Sequence, residues 1–150
     1  MTIREARLSD IPSIAQLRSA SWETPDFWEP RVRAYMSGTH SPRFAFKERI
    51  PYVAEEKGRL TGMIAGHLTS RYECNGEVQW VDVDPGRTRQ GIGTCLMRQL
   101  ALWFAERRAV RICVDVRPDN LGARGFYQAH GAEVLNDHWM VWEDISVITR

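Results

Sequence analysis

Residues 77–108 constrain this chain most, because a period-two segment, a basic loop with two glycines and a period-3.6 segment follow one another there. Residues 77–83 read as a strand, 87–93 as a loop, and 93–108 as an amphipathic helix. Ile92, Cys95, Leu96, Leu100, Trp103 and Phe104 fall on one stripe of that helix, while Arg98, Gln99, Glu106, Arg107 and Arg108 lie elsewhere around it. The stripe must pack on a sheet, so the helix start is fixed at the sheet's end with its unpaired N–H groups and positive dipole end facing out. The loop before it reads Arg87-Thr88-Arg89-Gln90-Gly91-Ile92-Gly93-Thr94. Gly91 and Gly93 let the backbone come close to a ligand oxygen, and Arg87 and Arg89 add charge. A pyrophosphate suits such a site. A tight strand-to-helix turn with solvated arginines is the competing reading of the loop taken alone.

The rest of the chain supplies a sheet for this helix. Residues 2–6 make a short first strand, and Ser9 or Asp10 caps a helix over 12–21, with Ile11, Ile14, Leu17 and Arg18 at its three- and four-residue intervals. A second helix fits 29–37, stopped by Gly38. It sits within 22–47, an irregular stretch of aromatics and prolines that either caps the core or lines a substrate cleft. Strands over 52–56 and 60–70 form a hairpin about Lys57-Gly58-Arg59, and Asn75-Gly76 marks a turn into the strand at Glu77. After the central helix come a strand over 110–116, a short helix over 121–130 capped at Asn120 and closed by Gly131, and a pair of strands over 132–135 and 139–148. This order gives an α/β or α+β sheet with helices packed on it. No repeat or linker interrupts it, so residues 1–150 are expected to form a single domain.

Several classes are excluded. The net charge of +1 argues against a nucleic-acid or anionic-membrane partner, despite Arg87, Arg89, Arg107, Arg108 and Arg111. Cys74, Cys95 and Cys113 give no disulfide framework, which suits a reducing cytoplasm, and the four histidines lack zinc-ligand spacing, so no metal is expected. The N-terminus has no apolar signal segment, and no apolar run nears the ~18 residues of a membrane span. A Walker A loop fails for want of Gly-Lys-Ser/Thr. A Rossmann fingerprint fails because Leu96 stands where a third glycine belongs, although Asp115 lies at a suitable distance beyond.

Arg89-Gln90-Gly91-Ile92-Gly93, opening a helix after a strand and loop, resembles the central Q/R-x-x-G-x-G/A motif of the GNAT superfamily of acyl-CoA-dependent N-acyltransferases. Thr94-Cys95-Leu96-Met97 continues it in the family's manner. Thr88 departs from the Gln or Arg expected three residues before Gly91. A second block, Asn120, Ala123, Phe126, Tyr127 and Gly131, matches N-x-x-A-x-x-F/L-Y-x-x-x-G-F, with Ala132 in place of the final aromatic. The resemblance implies a mixed, mostly antiparallel central sheet with a splayed parallel pair and helices on both faces. It implies acetyl-CoA as co-substrate, with the pantetheine arm on the backbone of Val81 and Val83. The pyrophosphate would then lie on the amides of Gln90 to Thr94, beside Arg89, and Asn120 would bond the cofactor arm.

Acyl transfer to an amine needs a base, a donor for the developing oxyanion and a proton for the departing thiolate. The resemblance implies the Val83 amide for the oxyanion. It implies Glu77, fourteen residues before Gly91, as a base acting through water. Strict alternation would turn Asp82, the alternative base, to the opposite face from Glu77. Tyr127 is the expected acid. The acceptor is expected to be a small-molecule or peptide amine. Residues 139–148 carry apolar side chains on both faces and leave a homodimer open. A non-catalytic CoA-binding sensor or interaction module, allowed by Thr88 and Ala132, is the alternative function.

Overall fold

In the computed structural model, which describes residues 1–150, seven strands form one sheet. They are β1 (Thr2–Glu5), β2 (Ala45–Glu56), β3 (Arg59–Thr69), β4 (Gly76–Val83), β5 (Ile112–Asp115), β6 (Glu133–Asn136) and β7 (Trp139–Trp142). The four α-helices are α1 (Ile11–Ser19), α2 (Pro25–Ser37), α3 (Ile92–Glu106) and α4 (Leu121–Ala129). Strand order is β1-β2-β3-β4-β5-β7-β6, and every neighbouring pair is antiparallel except β4–β5. This is the mixed, mostly antiparallel sheet with one parallel pair that the resemblance implied.

The helices cover both faces. α1 and α2 bury Ile11, Ile14, Ala15, Trp28, Val32 and Tyr35 against Val53, Met63 and Ala65 on one face. On the other, Leu96, Met97, Leu100 and Phe104 of α3 are fully buried against Ile64, Val78, Ile112 and Met140. Each such side chain contributes roughly 1.5–3 kcal/mol of burial, enough to hold the helix start where the sheet ends. α3 lies close because three strand positions under it have no side chain. A Cβ at Gly62 would stand 3.0 Å from Ile92 and Leu96, at Gly66 3.1 Å from Leu100, and at Gly76 2.4 Å from Phe104.

Several local expectations are corrected. α2 begins one turn earlier than the expected residue 29, because Thr24 accepts a 3.2 Å bond from the Phe27 amide and Pro25 sits in the first turn. Pro30 then lies in the helix interior rather than in its first turn, at the loss of one backbone bond. β2 starts at Ala45, well before residue 52, with an irregular register between its Ala45 and Arg49 pairings. Asn75-Gly76 is not a turn. The chain reverses earlier, where Tyr72 and Glu73 take φ of 52° and 60°, and Asn75 Oδ1 accepts bonds from the amides of Val110 and Arg111, both at 3.0 Å. The last strand ends at Trp142, and Asp144 caps a 3-10 turn over Ile145–Ile148. All four residues of β7 are buried, whereas Val147 in the following turn is exposed.

Candidate active site

The site begins where β4 and β5 part. They pair only at Gly76–Ile112, Glu77–Cys113 and Val78–Val114. On its other edge β4 stays paired with β3 to Val83, but the register slips between Ala65–Trp80 and Gly66–Val78, leaving Gln79 as an extra, bulged residue. The Asp84 amide donates to the Thr61 carbonyl at 2.8 Å, so Thr61 and Asp84 form a bonded pair of the antiparallel ladder. Alternation then makes Gly62–Val83 and Ile64–Val81 non-bonded pairs. The N–H and C=O groups of Val81 and Val83 therefore point away from β3, into the gap that β5 has left. An extended ligand could pair with them as an added strand.

The bulge also changes which side chains share a face. Val78, Val81 and Val83 pack toward α3. Glu77 lies 3.6 Å from His67, Trp80 packs with the α1–α2 core, and Asp82 accepts a 2.7 Å bond from Arg18 of α1. Glu77 and Asp82 are thus on the same face, contrary to strict alternation, because the extra residue shifts the phase by one.

At the α3 end, Gly91 has φ of 80° and open space around it, as the left-handed entry to a helix requires. Cys95 is the first residue to donate into the helix, to the Gly91 carbonyl at 3.0 Å, and the earlier amides face the loop. Val81, Val83, Arg87, Thr88, Arg89, Gly91, Ile92, Gly93, Thr94, Gly122, Ala123, Phe126 and Tyr127 enclose a cavity of about 510 Å³ here. Arg89 is exposed, with no protein partner. Arg87 is already engaged: it pairs with Glu56 and donates to Gln90 Oε1 at 2.9 Å. Gly93 serves packing more than ligand approach, since a Cβ there would stand 2.9 Å from the Phe126 ring of α4. The Thr94 hydroxyl is taken by His130 Nε2 at 3.1 Å, which leaves its amide for a ligand.

A second cavity, of about 910 Å³, opens on the opposite side of the gap and shares Val81, Ala123 and Tyr127 with the first. Glu77, Asp82, Asp115, Asn120, Arg18 and Arg71 line it. Glu77 is 4% exposed and is not a solitary carboxylate: Arg71 Nε donates to its Oε1 at 3.2 Å. Burial pushes the Asp82 and Asp115 carboxyls up, Arg18 opposing it at Asp82 and His138 at Asp115. Tyr127 is buried, its hydroxyl has no protein partner, and desolvation pushes its pKa well up, with the charges of Asp82 and Asp115 adding to the effect. Asn120 Oδ1 caps α4 through the Ala123 amide at 3.1 Å, which leaves its NH₂ free.

The aromatic stretch divides between the two readings left open for it. Trp28 and Tyr35 are core residues, whereas Trp22 and Pro42 line the cleft. The sequence reading passed over Arg18, Arg71 and Trp80 as cleft residues. Arg18 alone had a signal, a charge on the apolar stripe of α1.

The model of the acetyltransferase (GNAT) family matches residues 11–132. The peptidyl-lysine N-acetyltransferase YiaC of Escherichia coli (strain K12) is 29% identical over 147 residues, covering 91% of this chain and 86% of the relative. The PaiA N-acetyltransferase of Thermoplasma acidophilum in complex with coenzyme A is similar in fold, with TM-score 0.71 and 15% identity, covering 93% of this chain and 96% of that one. An aminoglycoside 6'-N-acetyltransferase complexed with coenzyme A gives TM-score 0.75 and 19% identity over 97% of both chains.

Proposed function

The chain belongs to the GNAT family of acetyltransferases, and from that premise we propose that it moves an acetyl group from acetyl-CoA to a primary amine by direct attack. The activity class is acyl-CoA-dependent N-acetylation. For the acceptor we propose a lysine side chain of a peptide, on the likeness to a peptidyl-lysine acetyltransferase. The observation that carries the reading is the β4 register, which turns the backbone of Val81 and Val83 into an unpaired gap ending at Tyr127.

Acetyl-CoA supplies the activated thioester. The backbone of Val81 and Val83 would hold its pantetheine arm, with the free NH₂ of Asn120 beside it. The amides of Gln90, Gly91, Ile92, Gly93 and Thr94, with Arg89, would hold the pyrophosphate at the positive end of α3. An arm running from the α3 end passes Val83 before Val81, and of the two only Val81 also lines the cavity that holds Glu77. The Val81 N–H, rather than that of Val83, would therefore bond the thioester oxygen as negative charge develops. Glu77 takes a proton from the acceptor ammonium through water, since an amine of pKa near ~10 is protonated at neutral pH and cannot attack. Tyr127 gives a proton to the departing sulfur. Burial keeps its phenol protonated and leaves the hydroxyl without a competing protein partner.

Turnover of acetyl-CoA with lysine-containing peptides, small amines and polyamines tests this. Glu77→Gln is expected to lose activity mainly at low pH, where little free amine exists, and Tyr127→Phe to slow thiol release. Severalfold loss in neither variant would sink both role assignments.

A further inference from the structure

His67 is fully buried, yet the mechanism above makes no use of it. It stands on β3, opposite Glu77 in the β3–β4 register and opposite Arg49 in the β2–β3 register. Its Nδ1 lies 2.9 Å from the Tyr35 hydroxyl of α2. Its Nε2 has no hydrogen-bond partner and lies 3.6 Å from Oε1 of Glu77. Burial holds Tyr35 firmly as a phenol, so Tyr35 can donate, and the Nδ1 lone pair is the acceptor within reach. A neutral ring bonded in this way carries its proton on Nε2, aimed at the carboxylate.

We propose that His67 is a positioning residue for Glu77, oriented by Tyr35. Arg71 Nε, 3.2 Å from Oε1, and the Nε2–H of His67 approach the same oxygen from two sides. At 3.6 Å the imidazole contact is electrostatic, and a small rotation of the carboxylate closes it to a hydrogen bond. Oε2 has no protein partner and is not sealed from solvent, so it is the oxygen that faces the cleft. Holding Oε1 in this way reserves Oε2 for the proton. The charged and titratable groups around His67 are Tyr35 from α2, Arg49 from β2, Glu77 from β4 and Arg71 from the β3–β4 connection.

The inference rests on Glu77 as the base, and the test separates the two. Nitrogen-15 NMR of the whole protein reads the His67 tautomer without any turnover, and the Nε2–H form is expected. His67→Leu, checked for folding by its melting curve, is expected to lower kcat about tenfold, the value of one hydrogen bond to a charged group, with KM for acetyl-CoA unchanged. His67→Gln, whose side-chain NH₂ reaches toward the same place, is expected to restore most of that loss. If His67→Leu does not fold, Tyr35→Phe replaces it and is expected to mix the two tautomers and lower kcat. An Nδ1–H tautomer in the wild type overturns the proposal. So does an unchanged kcat at every pH in the folded variant while Glu77→Gln is inactive. Full activity in Glu77→Gln removes the base reading first, and the positioning role with it.

Discussion

Asp82 accepts a 2.7 Å bond from Arg18, and this pair ties β4 to α1 inside the cleft, on the side of the sheet that carries Glu77. The guanidinium also lies 4.3 Å from the ring centroid of Trp28 and 5.0 Å from that of Trp80. One pair thus joins the substrate-side helices to the bulged strand.

Removing Arg18 leaves a buried carboxylate without its cation. Burial already raises the folded Asp82 pKa above its ordinary 3.8, and losing Arg18 raises it further. A raised carboxyl pKa gives stability that is full at low pH and lost as pH rises through the folded value. Arg18→Met is expected to cost about 2–3 kcal/mol at pH 8 and less at pH 5, measured by urea unfolding at both.

Asp10 gives the opposite sign. Its carboxylate accepts 2.8 and 3.0 Å bonds from Arg4 and one of 2.7 Å from the Arg7 amide, and these, Arg4 first, hold its pKa below the ordinary 3.8. Its stabilisation is present above 3.8 and is lost as pH falls through the lower folded value. Asp10→Asn is expected to cost about 1–2 kcal/mol at pH 7 and to flatten the acid limb of stability against pH.

Gly91 and Gly93 are expected to fail for different reasons. Gly91→Ala meets no atom but must hold a left-handed φ of 80°, at roughly 1–2 kcal/mol. Gly93→Ala drives a methyl against Phe126 and displaces α4, at about 1–3 kcal/mol. Calorimetric titration with CoA should show the larger loss of affinity in Gly93→Ala, because α4 carries Asn120 and Tyr127.

Glu56 competes with any phosphate for Arg87. Glu56→Gln is expected to tighten CoA binding about two- to fivefold at low salt, with the gain fading as ionic strength rises. Equal affinity in both proteins at low salt would show that Arg87 does not reach the ligand.

Much of the loop-and-helix half of the candidate site was legible because its signals are local. The stripe from Ile92 to Phe104, the glycine at the helix start and the Asn120 cap each follow from spacing of neighbouring residues. The other half was not. Gln79 looks like any strand residue, yet as a bulge it reverses the phase of everything after it, and with that the face of Asp82. Arg18 and Arg71 reach the cleft, and His67 reaches Glu77 behind it, through the packing of α1, the β3–β4 connection and β3, which no single segment reveals. Thr24-Pro25 did carry a helix-start signal, a capping threonine before a first-turn proline, which the expected start at residue 29 left unused.

The three-pair seam between β4 and β5 bears on how a ligand leaves. A guest bonded along Val81 and Val83 extends the sheet beyond Val78, where the strands no longer hold each other. It cannot depart in one motion, because its strand-like bonds must break in sequence, as in peeling. Residence time should therefore follow the number of backbone bonds along the arm more than the strength of any one contact, and a truncated pantetheine should dissociate disproportionately fast.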